Sequence, residues 1–99
     1  METLISKVEK WSIDKGLDKV EASKQALKFF EEAGEVASAL ARSQSDAFKD
    51  GVGDVIVTLI ILAQIQGTNL EECLAMAYDE IKDRTGKTVN GVFVKESDL

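Results

Sequence analysis

The chain has 99 residues, which is enough for one domain with a thin hydrophobic core. Hydrophobic residues make up 44% of it, an ordinary share for a folded chain that argues against disorder. The 18 acidic and 12 basic residues give a net charge of −6, which argues against a nucleic-acid partner because phosphate backbones are bound through basic faces.

The residue inventory narrows the chemistry further. There is no histidine, which excludes histidine-based zinc sites, a Ser-His-Asp triad and a histidine general base. Cys73 is the single cysteine, so no intramolecular disulfide can form and a reducing, cytoplasmic setting is expected. The N-terminal segment lacks the apolar run of a signal peptide, and the apolar stretch at 55–63 is too short for a bilayer, so no membrane partner is expected.

The first predicted element is a helix that carries Leu4, Ile5, Val8 and Trp11 on one side, at spacings of four and three residues. Gly16 is predicted to cap its C-terminus, because glycine adopts positive φ without steric cost.

The second predicted helix runs from about Asp18 or Ser23 to about Arg42. One stripe of this helix is apolar and opposes its glutamates, and it consists of Ala26, Phe30, Ala33, Ala37 and Leu40.

A third helix is predicted from a cap at Ser45 or Asp46 to near Gly67. Its β-branched run VIVTLIIL would favour a strand on propensity alone. Residues 47–66 contain no turn signal except two glycines near the start, however, and this length is ordinary for a buried helix. Apolar residues lie on every side between Val52 and Ile65, so we expect the helix to be buried all round.

Thr68 and Glu71 have capping-box spacing, so a fourth helix is predicted to start at Thr68. It is predicted to end near Arg84 to Gly86. The tail that follows contains Asn90-Gly91, a hairpin-turn signal between short apolar runs, and is predicted to be an extended or irregular arm. Leu70, Leu74, Ala77 and Ile81 share one face of the fourth helix.

The predicted fold class is therefore all-α, a four-helix bundle-like unit with a short irregular C-terminal arm. We expect a single domain over 1–99, with a helical core over about 2–85 and the arm over about 86–99.

Glu31, Glu32 and Glu35 lie within one turn of the second helix, where like charges repel each other. Such a cluster suits a hard cation that takes oxygen ligands, such as magnesium. A solvated outer face would show the same pattern and is the more common explanation for one such helix.

Asp54 lies on the same face of the third helix as several apolar residues, with Asp50 one turn before it. A carboxylate on a buried helix is costly unless it is paired, bonded at a helix N-terminus or bound to metal. Asp50 suits a helix-dipole role in the first turns, whereas Asp54 lies deeper and suits it less. Across two antiparallel helices these aspartates could face the glutamate cluster.

The segment Glu31-Glu32-Ala33-Gly34-Glu35, followed after a loop by Gly53-Asp54-Val55, resembles the MazG-like nucleotide pyrophosphohydrolases of the all-α NTP pyrophosphatase group. Their signature is EExxE, a spacer and ExxD. The resemblance covers roughly residues 1–87 and includes Trp11 before Lys15-Gly16-Leu17, and Ala26-Leu27-Lys28 before the glutamates. The sequence departs from the signature at Gly51, where the family has the glutamate of ExxD, and Asp50 is a candidate substitute.

The resemblance implies magnesium-dependent hydrolysis of nucleoside triphosphates to monophosphate and pyrophosphate, with manganese as an alternative metal. It also implies a homodimer or homotetramer. The implied metal ligands are Glu31, Glu32, Glu35 and Asp54, with Asp50 as a candidate. Glu32 and Glu35 are the implied catalytic residues, with Glu32 the candidate for orienting or deprotonating the attacking water. The implied substrate-binding residues are Lys28, Lys82, Arg84 and Lys87 for phosphates and Trp11 for base stacking.

Each of these assignments has a structural alternative. A core aromatic residue of the first helix is the more common explanation for Trp11, and Lys82 and Arg84 are equally consistent with cations favoured at a helix C-terminus. Two other functions also remain open at this point. One is a non-catalytic nucleotide- or metal-binding interaction module, which Gly51 favours, and the other is a helical assembly domain.

Overall fold

The computed structural model describes residues 2–99. It is mostly helical, with a small hairpin at its C-terminal end, so the predicted all-α class is confirmed. In chain order the elements are α1 (Leu4–Asp14), a 3-10 turn (Leu17–Lys19), α2 (Ala22–Ala41), α3 (Ser45–Ile65), α4 (Leu70–Ile81), β1 (Gly86–Val89), β2 (Val92–Lys95) and a last 3-10 turn (Glu96–Asp98).

The first helix begins after a capping residue and is followed by the glycine that its sequence predicts at its C-terminal end. Thr3 precedes it, and its side-chain oxygen accepts a hydrogen bond from the backbone N–H of Ser6 at 3.1 Å. Gly16 follows it with a φ of 73°, and its N–H donates to the carbonyl of Ile13 at 3.0 Å. This left-handed residue ends α1 and turns the chain into the 3-10 segment.

The pairing of α2 with α3 is the main helix–helix contact of the molecule. Residues 42–44 alone connect the two helices, so the chain folds back and the helices run antiparallel. The α2 residues that face α3 repeat at spacings of four and three: Gln25, Phe29, Glu32, Val36 and Ala39, of which the glutamine, the glutamate and the alanine are buried.

The predicted apolar stripe of α2 is not the line that packs against α3. Phe30 is 69% exposed and Leu40 is 67% exposed. The stripe is rotated by about 100° around the helix from the α3-facing line. The packed line allows the two helices to approach closely, because Gly51 of α3 lies against Val36, where even a Cβ atom would be only 3.0 Å from Val36 Cγ2. The glutamates therefore do not all lie on an outer face, since Glu32 belongs to the packed line.

The third element is a helix throughout, as predicted, although its sequence is rich in β-branched residues. Its C-terminal half supplies the core, where Ile60 is 2% exposed and Ile61 is 5% exposed. The first half is less enclosed than predicted, since Val52 and Ile56 remain 38% and 42% exposed. Ser45 is the first residue of α3 and not its cap, and Gln44 precedes it without a side-chain capping bond.

The fourth helix begins at Leu70 after an Asn69 cap, one residue later than predicted. The Asn69 side-chain oxygen accepts from the backbone N–H of Glu72 at 2.8 Å. The helix ends at Ile81, earlier than predicted, and contains no buried residue. Leu74 and Ile81 of its apolar face are 64% and 53% exposed, so α4 does not close the bundle within one chain.

The C-terminal arm is regular rather than irregular. Strands β1 and β2 pair antiparallel, with Val89 opposite Val92. Asn90 and Gly91 between them have φ values of 52° and 80°, the positive pair that a two-residue hairpin turn requires. The turn signal in the sequence was therefore correct, and it specifies a hairpin. None of the helices within residues 2–99 is both long and apolar enough to cross a membrane.

Candidate functional site

An open groove of about 510 Å³ lies between α1, the first 3-10 turn, α2 and α3. One part of its wall is apolar and is made by Trp11, Leu17, Val20, Val57 and Ile61. The other part is polar and is made by Lys24, Gln25, Lys28, Glu32, Asp54 and Thr58. The groove therefore offers an apolar surface beside a charged rim, which is a common arrangement in ligand sites.

Glu32 is the most deeply placed carboxylate of the groove and is only 8% exposed. Its Oε1 atom lies 3.4 Å from the Nζ atom of Lys28. Its Oε2 atom is buried and has no hydrogen-bond partner among the described residues. Since buried polar atoms are nearly always paired, this oxygen is unsatisfied in the isolated chain and is suited to accept a cation or a donor group.

A second, smaller cavity of about 260 Å³ adjoins the groove at Asp54, which lines both. Glu35, Asp50 and Gly51 also line this cavity. The acids of α2 and α3 therefore face each other across the helix pair, as the sequence predicted for antiparallel helices. Glu31 is exposed at the edge, with its Oε1 atom 3.7 Å from the Nζ atom of Lys28.

The electrostatics of the site reflect this concentration of negative charge. The charge of Glu32 is the main cause that raises the pKa of Glu35 above its usual value of 4.5. Burial, followed by the charges of Asp50 and Glu32, raises the pKa of Asp54 above its usual value of 3.8. A hydrogen bond to Glu32, with the charges of Glu31 and Glu32, raises the pKa of Lys28. Lys28 is therefore the cation that partly neutralises the cluster in this chain.

The donor set fits a hard divalent cation in its chemistry, because all of these groups are carboxylate oxygens and one of them is buried without a partner. Within residues 2–99, however, no three acidic or cysteine side chains converge closely enough to hold an ion as they stand. Binding of a cation by three of these carboxylates would therefore require their side chains to move closer together.

The structure brings together most, but not all, of the residues that the sequence singled out. Trp11 lines the groove and is 47% exposed, so it is a groove wall and not a core aromatic residue. Lys82 is on α4, where its Nζ atom pairs with Asp79 Oδ1 at 2.9 Å. Arg84 follows α4, and Lys87 lies on β1. None of these three basic residues lines the groove or the adjoining cavity.

Sequence reasoning missed Gln25 and Thr58, which lie on the groove floor. Gln25 is 7% exposed, and its Nε2 atom donates to the carbonyl oxygen of Thr58 at 3.2 Å. The available signal was the series of α2 positions at spacings of four and three that contains both Gln25 and Glu32. A buried line with two polar members is unusual and marks the face of α2 that carries the site.

An antiparallel helix pair that carries opposed carboxylates beside an apolar groove defines a small all-α domain with an acidic candidate site. The sequence model of the MazG nucleotide pyrophosphohydrolase domain matches residues 21–89, which is more than half of the chain. The chain therefore belongs to the MazG nucleotide pyrophosphohydrolase domain family.

A relative in Haemophilus phage HP1 (strain HP1c1) is described as "Uncharacterized 18.2 kDa protein in rep-hol intergenic region". It is 40% identical to this chain over 67 residues, which are 65% of this chain and 40% of the phage protein. The matched region thus spans less than half of that relative. No solved structure gave a significant match.

Proposed function

We propose that this chain hydrolyses nucleoside triphosphates to nucleoside monophosphate and pyrophosphate in a magnesium-dependent reaction, with manganese as a substitute metal. Family membership supports pyrophosphohydrolase activity in general. The observation that carries the proposal for this chain is the buried, unpartnered Oε2 atom of Glu32, beside further carboxylates and at the rim of an apolar groove.

The proposed metal ligands are Glu31, Glu32, Glu35 and Asp54, with Asp50 as the additional carboxylate on the α3 side. When bound, the divalent cation supplies charge neutralisation and polarisation of the phosphate oxygens. Asp50 and Asp54 approach the acidic cluster of α2 from the opposite helix, so ligands from both helices can contribute.

We assign the remaining roles from the position of each side chain in the groove. Glu32, whose buried Oε2 atom has no partner, is the proposed group that orients or deprotonates the attacking water. Glu35 is the second proposed catalytic residue. Lys28 can pass from Glu32 to a substrate phosphate when a metal ion takes over the neutralisation of the carboxylates, because it is half exposed. Trp11, at the apolar end of the groove, is the proposed stacking surface for the base.

Gly51 replaces the glutamate of the ExxD signature, and the structure gives a packing reason for it. A Cβ atom at this position would lie 3.0 Å from Cγ2 of Val36, so a side chain requires Val36 to move. We propose that Asp50 replaces the missing carboxylate, because it lines the same cavity as Glu35 and Asp54. A non-catalytic module that binds nucleotide or metal is the second candidate function, and it too rests on Gly51.

We also propose a homodimer or homotetramer. The Cα radius of gyration is 16.3 Å, whereas a compact chain of this length has about 13 Å. The apolar stripe of α2 and the apolar side chains of α4 are exposed in one chain, including Phe30, Leu40, Leu74 and Met76. A partner copy that covers them would complete the core. It could also bring Lys82, Arg84 and Lys87 to the phosphate end of the groove of the neighbouring copy.

The direct test is pyrophosphate release from a panel of ribo- and deoxynucleoside triphosphates with magnesium, with manganese and with chelator. Metal-dependent release together with a monophosphate product is the expected result. Metal binding by calorimetry without any release would instead support the non-catalytic module. Failure to bind either metal or nucleotide would leave only a helical assembly domain.

A further inference from the structure

We propose that the site also hydrolyses phosphoanhydrides that carry an organic group at both ends, such as dinucleoside diphosphates, with one group in the groove and the other in a second cavity beside α1. The inference rests on the proposed function, because it assumes that the groove holds a nucleoside and that the carboxylates hold the phosphates. It concerns a part of the site to which hydrolysis of a triphosphate assigns no role.

The second cavity has a volume of about 400 Å³ and lies on the α1 side of Asp54. We call it the α1 cavity, and it is lined by Leu4, Lys7, Val8, Trp11, Asp54 and Val57. The last three of these side chains also line the groove, so they lie between the two cavities. Both cavities have the size of small-molecule sites. A carboxylate of the proposed metal site therefore lies where the two cavities meet.

The lining of the α1 cavity is mostly apolar, and packing within the chain does not explain it. Leu4, Val8 and Trp11 follow one side of α1 at spacings of four and three residues. This stripe does not enter the core, since Ser12 is the only buried residue of α1 and Leu4 is 79% exposed. An apolar stripe that lines an open cavity beside a proposed metal ligand is suited to an apolar part of a ligand.

The leaving group of a triphosphate does not match this lining. Pyrophosphate is an ion without apolar surface, so Leu4 and Val8 contribute nothing to its binding. The second nucleoside of a dinucleoside diphosphate instead has a flat ring that these side chains can contact. Trp11 lines both cavities, so a ring on either side can contact it.

The α1 cavity also contains a cation for the second phosphate. Lys7 lines it and forms no ion pair with any of residues 2–99. Lys28, on the groove side, is the other cation close to the carboxylates, and it is paired with Glu31 and Glu32. A diphosphate bridge at Asp54 would therefore have one lysine on each side.

The reaction is the same bond cleavage as in the proposed function, with a different leaving group. The oxygen of a water molecule bonds to the phosphorus of one phosphoryl group, and a proton of that water passes to Glu32 and then to solvent. The P–O bond to the bridging oxygen breaks, and its electron pair stays on that oxygen, which leaves as part of the second monophosphate. One dinucleoside diphosphate and one water thus give two nucleoside monophosphates and no pyrophosphate.

The test compares the symmetrical dinucleoside diphosphates of adenosine, cytidine, guanosine and uridine with the four matching triphosphates, all with magnesium. Each pair shares the nucleoside and its α-phosphate and differs only in the group beyond the bridging oxygen. We expect at least one dinucleoside diphosphate to be hydrolysed with a kcat/KM no lower than that of its triphosphate. Its only product should be monophosphate, whereas the triphosphate should also release pyrophosphate.

Leu4→Gln tests the α1 cavity, because it removes apolar contact and keeps the length of the side chain. The exposure of Leu4 and its place at the start of α1 make the fold tolerant of this change. The ratio of kcat/KM for the dinucleoside diphosphate to that for the triphosphate should fall by roughly ten-fold, the effect of losing one apolar side-chain contact. Ile13→Gln is the matched control, because Ile13 is an exposed aliphatic residue of α1 that lines neither cavity, and it should leave the ratio unchanged.

The outcomes separate the inference from the proposed function. Turnover of triphosphates without any monophosphate from the four dinucleoside diphosphates would overturn the inference and leave the pyrophosphohydrolase intact. Cleavage of dinucleoside diphosphates alone would support the inference and overturn triphosphate hydrolysis, and no turnover at all would overturn both.

Two further results would overturn the role of the α1 cavity itself. One is a ratio that Leu4→Gln leaves unchanged. The other is an equal loss of both activities in Leu4→Gln together with a lower mass by light scattering, which would assign Leu4 to a contact between copies of the chain.

Discussion

Glu32 shows why the individual carboxylates of this chain must be distinguished from one another. It lies within one turn of Glu31 and Glu35, yet only Glu32 is buried, and one of its oxygens has no partner. Glu32 raises the pKa of two neighbours. Its charge is the main cause of the raised pKa of Glu35, and its hydrogen bond is the main cause of the raised pKa of Lys28. The site is thus repulsive in the isolated chain and prepared for added positive charge.

Neutralisation of one acid should therefore stabilise the metal-free protein. We expect Glu35→Gln and Asp54→Asn to raise the melting temperature in chelator, because each removes a charge that its surroundings disfavour. Both should abolish pyrophosphate release if these acids hold the metal. Glu80→Gln on the exposed α4 is the control and should change neither property. Lower melting temperatures for both site variants in chelator would indicate a structural role for these acids.

The same repulsion predicts a pH dependence of stability. A carboxyl whose pKa is raised in the folded state binds its proton more readily there than in the unfolded chain. The free energy of unfolding should therefore be lowest above the raised pKa values of Glu35 and Asp54. It should increase as the pH falls through them towards the usual values of 4.5 and 3.8. Urea titrations across this range should show the increase, and Glu35→Gln should reduce it. An equal increase in Glu35→Gln would assign it to other groups.

Among the secondary-structure elements, the α2–α3 pair decides the geometry of the site. The helical positions and the loop between them follow from hydrophobic periodicity and polar breaks, and the sequence predicted both helices to within a few residues. The rotation of α2 does not follow from its most apolar stripe. The line that packs against α3 contains Gln25 and Glu32, and the small residue Gly51 on α3 permits the close approach.

Two glycines of α3 provide a matched test of this approach. Gly53 has no atom within 4 Å of a Cβ position, so Gly53→Ala should stabilise the protein by about 1 kcal/mol through helix propensity. Gly51→Ala gains the same propensity but meets Val36 Cγ2 at 3.0 Å, so it should be less stable than Gly53→Ala by about 1–3 kcal/mol. Urea denaturation measures both changes.

The substitution Val36→Ala tests whether contact with Val36 causes the difference between Gly51→Ala and Gly53→Ala. In a Val36→Ala background the contact at position 51 is removed, so Gly51→Ala should then stabilise as Gly53→Ala does. Equal effects of the two alanine substitutions in the wild-type background would show that Gly51 is not required by packing. Its presence in place of the signature glutamate would then have no packing explanation.

For the molecule as a whole, the exposed apolar surface is the dominant feature. The single chain has extents of 47 × 34 × 32 Å, and α4 buries none of its residues. Isolated short helices are marginal in water, so α4 needs more contact than this chain provides. The proposed partner copy would supply it and would bring the basic residues of α4 and the hairpin near a groove.

Light scattering at micromolar concentration should therefore give the mass of a dimer or tetramer. Phe30→Asp should shift the protein towards monomer, because it places a charge in the exposed apolar stripe of α2. Val92→Asp is the control for exposure, since Val92 is 64% exposed on the hairpin and Phe30 is 69% exposed. A monomeric wild type would refute the assembly, and dissociation by Val92→Asp alone would move the interface to the hairpin.

Local patterns along the chain specified much of this protein. Apolar spacing and punctuation by glycine and asparagine specified four helices and a turn at Asn90-Gly91, because helix periodicity and positive φ are properties of short segments. The acids of α2 and α3 were also recognisable, since their spacing repeats within a turn. What could not be predicted is which α2 face packs, that Glu32 is buried, and that Gln25 lies on the groove floor. Those features depend on the rotation and separation of two helices, which are set by contacts between residues distant in the chain, such as Val36 with Gly51 and Gln25 with Thr58.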